Sequence, residues 1–166
     1  AFFDAASERG LEGIVAKKAN SRYVGGRSRD WIKVKCQRRQ EFVIGGYTDP
    51  RGERNYFGAL HLGLYHDQKL VYVSKVGTGF DDKTLKSIWE KMQPLAQAKS
   101  PFVERSPTGR GHHWVEPKLV CEVRFSDWTH DGGIRHPSFI GLRTDKKPEE
   151  CRKDEPVSLA LADLPP

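Results

Sequence analysis

The sequence predicts a mainly β protein with a minor helix, in which a small barrel-like sheet follows a β-hairpin. Three observations carry this prediction. Short apolar runs separated by Gly, Pro, Asn and Asp recur along most of the 166 residues, which is typical of strands and turns. One segment, near 81–98, instead has apolar residues at helical spacing. The first 35 residues contain two strand-like runs, which are too few to bury a core by themselves.

The N-terminal hairpin is predicted from GIVAK at 13–17 and WIKVK at 31–35, with a Gly- and Ser-containing loop between them. WIKVK alternates a tryptophan and two lysines on one face with an isoleucine and a valine on the other. This period of two indicates one buried face and one working face. Because two strands do not make a core, we expect the hairpin to be a fragment of a larger sheet.

The barrel is predicted from the order of strands and helix after residue 41. The candidate strands are, in order, EFVIGGYT, FGALHLGLYH, KLVYVSKVG, HWVEPKLVCEVRFSDWT and GIRHPSFIGLR. Between the third and fourth, a helix starts at an aspartate and carries Leu85, Ile88, Trp89 and Met92 at helical spacing. Pro94 should interrupt this helix near its end. Three strands, a helix and two strands are the order of the OB-fold, a five-stranded barrel common in nucleic-acid binding.

The net charge of +6 comes from the N-terminal segment of the sequence. Residues 1–40 hold ten Lys and Arg against four Asp and Glu, whereas residues 41–166 hold eighteen of each. Concentrated positive charge favours a polyanionic partner, with an affinity that falls as salt rises. A solvated basic surface is the alternative interpretation of the same charges.

The remaining composition excludes several classes of protein. No apolar run approaches the roughly 20 residues that span a bilayer, so we expect no membrane partner. The N terminus lacks the pattern of a signal peptide. Cys36, Cys121 and Cys151 share no CxxC spacing, which argues against a disulfide framework or a zinc site and fits the reducing cytoplasm.

Two groups of charged residues flank the hairpin strands. Glu12 precedes the first strand, where a carboxylate facing cations can hold a divalent metal against a phosphate; an ordinary loop acid is the alternative. Lys33 and Lys35 share one strand face, with Arg27 six residues before Lys33. Lysines and a forked arginine suit phosphate oxygens, although a solvated strand face would look the same.

A third charged group lies in RHPSFIGLRTDK, near a predicted strand end. Arg135, Arg143, Asp145 and Lys146 belong to this segment. Two arginines and a lysine in twelve residues could clamp a triphosphate and assist the departure of pyrophosphate. A charged barrel rim is the alternative.

The order of these segments resembles the nucleotidyltransferase superfamily, in particular ATP-dependent DNA ligases. The longer wording GLEGIVAKKANSRYVGGRSRDWIKVK and VEPKLVCEVRFSDWTHDGGIRHPSFIGLRTDK is similar to the bacterial end-joining ligases called ligase D. The likeness runs from about residue 8 to residue 147. By this resemblance EGIVAK is motif IV, WIKVK is motif V and RHPSFIGLRTDK is motif VI.

The resemblance implies a role for each charged residue. Glu12 would bind the catalytic Mg²⁺ or Mn²⁺, and Lys33 and Lys35 would contact the adenylate phosphate. Arg27 would support nucleotide binding, and Lys17 would lie near the same phosphate. The four charged residues of motif VI would orient the ATP pyrophosphate during enzyme adenylylation, once the barrel closes over the nucleotide. The barrel would then reopen and grip the nicked duplex.

The implied activity is that of a DNA ligase that uses ATP to seal nicks or double-strand breaks through enzyme-AMP and DNA-adenylate intermediates. Motif I of these ligases, a Lys-x-Asp-Gly whose lysine carries AMP, does not occur in the sequence. We therefore expect a C-terminal part of a ligase that is inactive alone. Its predicted divisions are strands of the adenylation domain at 1–38, the OB-fold domain at 39–150, and a tail or linker at 151–166.

The expected partners are nicked or broken duplex DNA, the missing N-terminal part of the adenylation domain, and an end-binding repair protein. The expected location is the cytoplasm, in association with the nucleoid. Two alternatives stay open on the sequence. One is a stand-alone OB-fold module that binds nucleic acid without catalysis, and the other is a fragment of a capping-type guanylyltransferase, which shares the domain pair.

Overall fold

The structure, a computed structural model, describes residues 1–26 and 29–153. Its elements are α1 (Phe2–Glu8), β1 (Gly13–Lys17), β2 (Trp31–Lys35), β3 (Arg38–Thr48), β4 (Leu60–His66), β5 (Lys69–Val76), α2 (Asp82–Met92), β6 (Ala96–Gln97), β7 (His112–Phe125) and β8 (Ser138–Arg143). Short 3₁₀ turns follow α2 and β8, at Gln93–Leu95 and Pro148–Glu150. None of the helices in the described ranges is long and apolar enough to cross a membrane.

The N-terminal hairpin has the strand limits that its alternating pattern predicts. β1 and β2 pair antiparallel, with Val15 opposite Lys33. At the base of the hairpin, the Cys36 amide donates a hydrogen bond to the Glu12 carbonyl at 2.9 Å. The helix α1 precedes the hairpin, and the sequence pattern did not predict it.

The remaining strands form one curled sheet, in which β5, β4, β3 and β7 are neighbours and β6 and β8 both pair with β7. The register of β3 shifts between Ile44 and Gly46 against both of its partners. Such bulges bend a strand and increase its twist, which helps the sheet to curl. Mainly β structure with a helix after the third barrel strand confirms the predicted fold class.

The two ends of the curled sheet approach each other at Thr78 and Gly79. The Phe139 amide, at the start of β8, donates to the Thr78 carbonyl at 2.9 Å, and the Thr78 hydroxyl donates to the Pro137 carbonyl at 3.0 Å. Gly79 has φ +90°, and a Cβ there would lie 2.7 Å from the Phe139 nitrogen. A glycine is therefore required at this seam, both by its backbone conformation and by the close contact.

The core lies inside the curl, and α2 closes one end of it. Leu85, Ile88 and Met92 of α2 are buried, as their helical spacing predicts. The helix begins where the Asp81 carboxylate accepts a hydrogen bond from the Thr84 amide at 2.7 Å, which is a helix cap. It ends in the 3₁₀ turn that contains Pro94, as predicted.

The hairpin differs from the sequence prediction in its burial. We predicted one buried face, but Ile32 is 60% exposed and Val34 is 38% exposed. The prediction is wrong for the described residues, because nothing within them covers this face of a two-stranded sheet.

At the other end of the chain, the Tyr65 amide donates to the Cys151 carbonyl at 2.8 Å, and Cys151 is buried. Barrel contacts thus continue past residue 150, and 154–166 lie outside the described residues.

Candidate functional site

The basic face of the hairpin (Lys17, Trp31, Lys33 and Lys35) is built by strand register. Lys17 lies opposite Trp31 across the ladder, and the Lys17 ammonium is 4.2 Å from the centre of the tryptophan ring. This cation–π contact holds one lysine over the strand. Lys33 and Lys35 follow on the same face of β2 because strand side chains alternate. The sequence prediction of a shared lysine face is consistent with this register.

Glu12 forms an ion pair with Lys33, with 3.3 Å between its carboxylate and the lysine nitrogen. Both side chains are more than half exposed, so water screens the pair and its contribution to stability is small. Either residue can therefore leave this ion pair for a stronger ligand: Glu12 for a cation, and Lys33 for an anion. Arg27, the fourth predicted phosphate contact of this region, lies outside the described residues.

This face offers one carboxylate, that of Glu12, to a divalent metal shared with a phosphate. No group of three or more His, Cys, Asp or Glu side chains in the described residues could hold a metal. Mg²⁺, however, is usually bound through one or two carboxylates together with substrate phosphates and water. Glu12 is one such carboxylate, and the neighbouring lysines could bring a phosphate beside it.

The charged residues at the end of β8 form a second cluster. The Arg143 guanidinium donates from Nε and Nη2 to the two oxygens of Asp145, at 2.9 and 2.8 Å. Its Nη1 donates to Glu41 at 3.2 Å and to Glu122 at 3.3 Å. Lys146 also donates to Glu41, at 3.3 Å. Three of the four predicted residues of motif VI are thus brought together around Glu41.

Sheet register explains why Glu41 and Glu122 need a cation. They are directly opposite each other on β3 and β7, and both side chains are about one-fifth exposed. Like charges placed opposite on neighbouring strands repel each other. Arg143, on the next strand, lies between them and offsets this repulsion. The sequence analysis missed both glutamates, because no local pattern shows which residues face each other across strands.

The cluster shifts the titration of its members. The hydrogen bonds from Arg143 lower the pKa of the Asp145 carboxyl to about 2. The same bonds, with the charge of Asp145, raise the pKa of the Arg143 guanidinium above its usual value. Four hydrogen bonds to described carboxylates use four of the five N–H donors of a guanidinium. In this arrangement Arg143 has one donor left for an external ligand, whereas Lys146 has more.

Arg135, the fourth predicted residue of motif VI, lies away from this ion-pair network. Its backbone is held at the loop before β8, where its amide donates to the Asp127 carbonyl and its carbonyl accepts from the Ser126 amide. The Arg135 side chain is exposed, and it makes no ion pair with any of the described residues, 1–26 and 29–153. It is therefore free to meet a ligand.

The curled six-stranded sheet with a helix after its third strand, preceded by a lysine-faced hairpin, is the OB-fold class of protein that the sequence predicts. The family of the ATP dependent DNA ligase C terminal region matches residues 53–146, which is more than half of the chain. The chain belongs to this family.

Two relatives show how much of the chain is shared. It is 46% identical over 158 residues to the multifunctional non-homologous end joining protein LigD of Pseudomonas aeruginosa, over 92% of this chain and 19% of that protein. It is 31% identical over 166 residues to a DNA ligase of Methanospirillum hungatei, over 95% of this chain and 29% of the relative. The chain thus spans about a fifth to a third of the length of these relatives.

Solved structures agree with the sequence comparison. The ligase domain of Mycobacterium tuberculosis LigD superposes with a TM-score of 0.67 at 38% identity, covering 92% of this chain and 50% of that domain. A mycobacterial DNA ligase D complexed with ATP and MES gives 0.62 at 38% identity, covering 90% of this chain and 49% of that one. The resemblance to ATP-dependent ligases of the ligase D type is confirmed.

Proposed function

We propose that the chain forms the C-terminal part of an ATP-dependent DNA ligase that seals nicks or double-strand breaks in duplex DNA. Residues 1–38 would complete an adenylation domain, 39–150 would form the OB-fold domain, and 151–166 would be a tail or linker. The observation that supports this proposal is the hairpin, whose lysine face and Glu12 would form one wall of a phosphate site. Its apolar face, uncovered by described residues, fits a sheet completed by another part of the ligase.

The hairpin would hold the nucleotide through its phosphate. Lys33 and Lys35 would contact the adenylate phosphate, with Lys17 beside it and Arg27 supporting the nucleotide. Glu12 would exchange Lys33 for Mg²⁺ or Mn²⁺, which when bound neutralises phosphate charge and polarises a phosphoryl oxygen. The weak, exposed ion pair between Glu12 and Lys33 supports this exchange, since both partners would gain a stronger ligand.

Motif VI would act on the leaving group of the adenylylation step. In that step a lysine amine attacks the α-phosphorus of ATP, a P–N bond forms, and the bond to pyrophosphate breaks. The sequence has no Lys-x-Asp-Gly, so this nucleophile would come from another part of the ligase. Lys146 and Arg135 would meet the pyrophosphate directly, while Arg143 and Asp145 would orient the segment through their mutual ion pair.

Membership of the same family also supports a proposal for the substrate, a partner and the location of the protein. Nicked or broken duplex DNA would be the substrate, and an end-binding repair protein a further partner. The protein would work in the cytoplasm, in association with the nucleoid.

Reconstitution tests this proposal. The 166-residue chain is mixed with an upstream adenylation-domain part carrying a motif I lysine, with ATP labelled on its α-phosphate and with Mg²⁺. Label is expected on the upstream part, followed by sealing of a nicked duplex. Lys33→Ala with Lys35→Ala should reduce label transfer, and Lys69→Ala with Lys83→Ala, which remove equal charge outside the site, should not. Tight DNA binding by the chain with no label transfer would favour the stand-alone binding module instead.

A further inference from the structure

Glu41 joins the two cations of motif VI that the barrel brings together. One of its carboxylate oxygens, Oε1, accepts a hydrogen bond from Arg143 at 3.2 Å, and the other, Oε2, accepts one from Lys146 at 3.3 Å. The Glu41 side chain is only about one-fifth exposed, so its charge is largely removed from water. A carboxylate in such a place is costly to leave without a partner. The two contacts therefore fix one carboxylate between two cations.

Lys146 depends on Glu41 for its place. It lies three positions after the end of β8, so its position is not set by the pairing of β8 with β7. Its side chain has a flexible four-carbon stem. Among residues 1–26 and 29–153, Glu41 is the only carboxylate that forms an ion pair with Lys146. That contact uses one of the three N–H donors of the ammonium group, so two remain for a phosphate.

The charges around Glu41 are balanced, which distinguishes orientation from attraction. The network contains three cations and three carboxylates, namely Arg39, Arg143 and Lys146 with Glu41, Glu122 and Asp145. A balanced group does not attract a polyphosphate through excess charge. Loss of the cations to a phosphate is also unfavourable, because it would leave Glu41 opposed to Glu122 across the strands. The carboxylate should therefore stay in place, and what it supplies is the orientation of the lysine.

We infer that Glu41 is the positioning residue for Lys146 in the adenylylation step. This inference rests on the proposed function, in which Lys146 meets the pyrophosphate that leaves ATP. Negative charge grows on this leaving group as its bond to the α-phosphorus breaks, and a donor that is fixed beforehand stabilises it best. Glu41 fixes the Lys146 ammonium, and Arg143 keeps the same carboxylate in place. Glu41 itself touches no nucleotide and acts through the lysine.

The rates of two steps of the reconstituted ligase test this role. Glu41→Gln keeps the shape of the side chain and removes its charge. With ATP labelled on its α-phosphate, kcat for label transfer to the upstream part should fall on the order of tenfold or more, while KM for ATP stays nearly unchanged, since the lysine acts on the leaving group in the transition state. Sealing of a nick whose 5′ phosphate already carries AMP should keep the unsubstituted rate, because no pyrophosphate leaves in that step.

Three further variants isolate the contact with Lys146. Glu122→Gln removes the same charge from the same network at similar burial, but Glu122 makes no ion pair with Lys146 in the described part of the chain, so the loss of kcat should be several-fold smaller. Adding Glu41→Gln to Lys146→Ala should cause little further loss, because the glutamate acts through the lysine. Glu116→Gln, which breaks an ion pair with Lys118 elsewhere on β7, is the control with unchanged rates.

Three results would overturn the positioning role of Glu41. They are label transfer by Glu41→Gln at the unsubstituted rate or faster, an equal loss in the sealing step, and losses that multiply when Glu41→Gln is added to Lys146→Ala. A faster rate would show that Glu41 withholds the lysine from pyrophosphate. If the unsubstituted chain supports no label transfer, the proposed ligase function fails and the positioning role fails with it. If the unsubstituted chain supports transfer and Glu41→Gln matches it, only the positioning role fails.

Discussion

The hairpin and the barrel are built from strands with similar sequence patterns, yet they differ in what covers them. In β4, Leu60, Leu62 and Leu64 are almost completely buried, whereas Ile32 in β2 is more than half exposed. Both strands were predicted correctly, since β propensity and alternation are local properties. Burial is not local, because it depends on how many other strands and helices pack on the same face. The barrel contains its own partners, and the hairpin does not have them among the described residues.

The largest expected effect lies in the barrel core. Leu62→Ala should lower the free energy of unfolding by about 2–5 kcal/mol, because it leaves a cavity in a packed interior. Ile32→Ala, the same kind of truncation on the hairpin, should change it by less than about 0.5 kcal/mol. Denaturant unfolding of the 166-residue chain measures both. A large loss for Ile32→Ala would show that the hairpin face is covered after all.

The next largest expected effect is a pH dependence of the free energy of unfolding of the barrel. Burial, followed by the nearby charges of His112 and Lys75, lowers the pKa of His61 to about 4. The unfolded chain takes up this proton below its ordinary pKa of about 6.5, while the folded barrel does not. Stability should therefore fall by about 3 kcal/mol as pH drops from about 6.5 to about 4.

The His61 prediction is checked by unfolding the chain at several pH values, with His61→Gln as the comparison. The glutamine side chain keeps polar atoms at this position but does not titrate in this pH range. The loss between pH 6.5 and 4 should shrink in the variant. An identical pH profile would assign the loss to other groups.

A smaller effect should come from the motif VI cluster. Arg143→Ala leaves Glu41 and Glu122 opposed without the cation between them, so it should destabilise the barrel. Adding Glu41→Gln should restore part of that loss, because it removes one of the two repelling charges. A double-mutant cycle by thermal unfolding measures this coupling. Additive effects would mean that the guanidinium does not act on the glutamates as a pair.

The smallest effect should be an acid dependence from Asp145. Because its folded pKa is about 2, below that of an unfolded aspartate, its ion pair contributes stability above pH 4. That contribution is lost as pH falls from about 4 to about 2. Asp145→Asn should flatten this part of the stability profile, as measured by thermal unfolding at each pH. The exposed Glu12–Lys33 pair of the hairpin gives the reference, since Lys33→Ala should leave the same profile nearly unchanged.

Local features account for most of what the sequence predicted. The limits of β1 and β2, the start of α2 at an aspartate and its end near Pro94 all follow from spacing and capping. The lysine face of β2 follows from its period of two. Motif VI was also located, because its charged residues lie within twelve positions of one another.

Features that depend on tertiary pairing could not be predicted in the same way. Glu41 and Glu122 become neighbours through the register of β3 and β7, and the 80 positions between them hide that relation in the sequence. The buried face expected for the hairpin failed because alternation predicts which residues could be covered, without showing what covers them.

Gly79 lies at the seam between the end of β5 and the start of β8. It contacts the backbone at the start of β8, and β8 ends at Arg143 beside the motif VI cluster. A Cβ at position 79 would clash with the Phe139 backbone, so a side chain there should displace the start of the strand that ends at Arg143. Under the proposed ligase function, sealing should then depend on this loop glycine. In a library of variants scored for sealing, Gly79→Ala should rank with substitutions in motif VI itself.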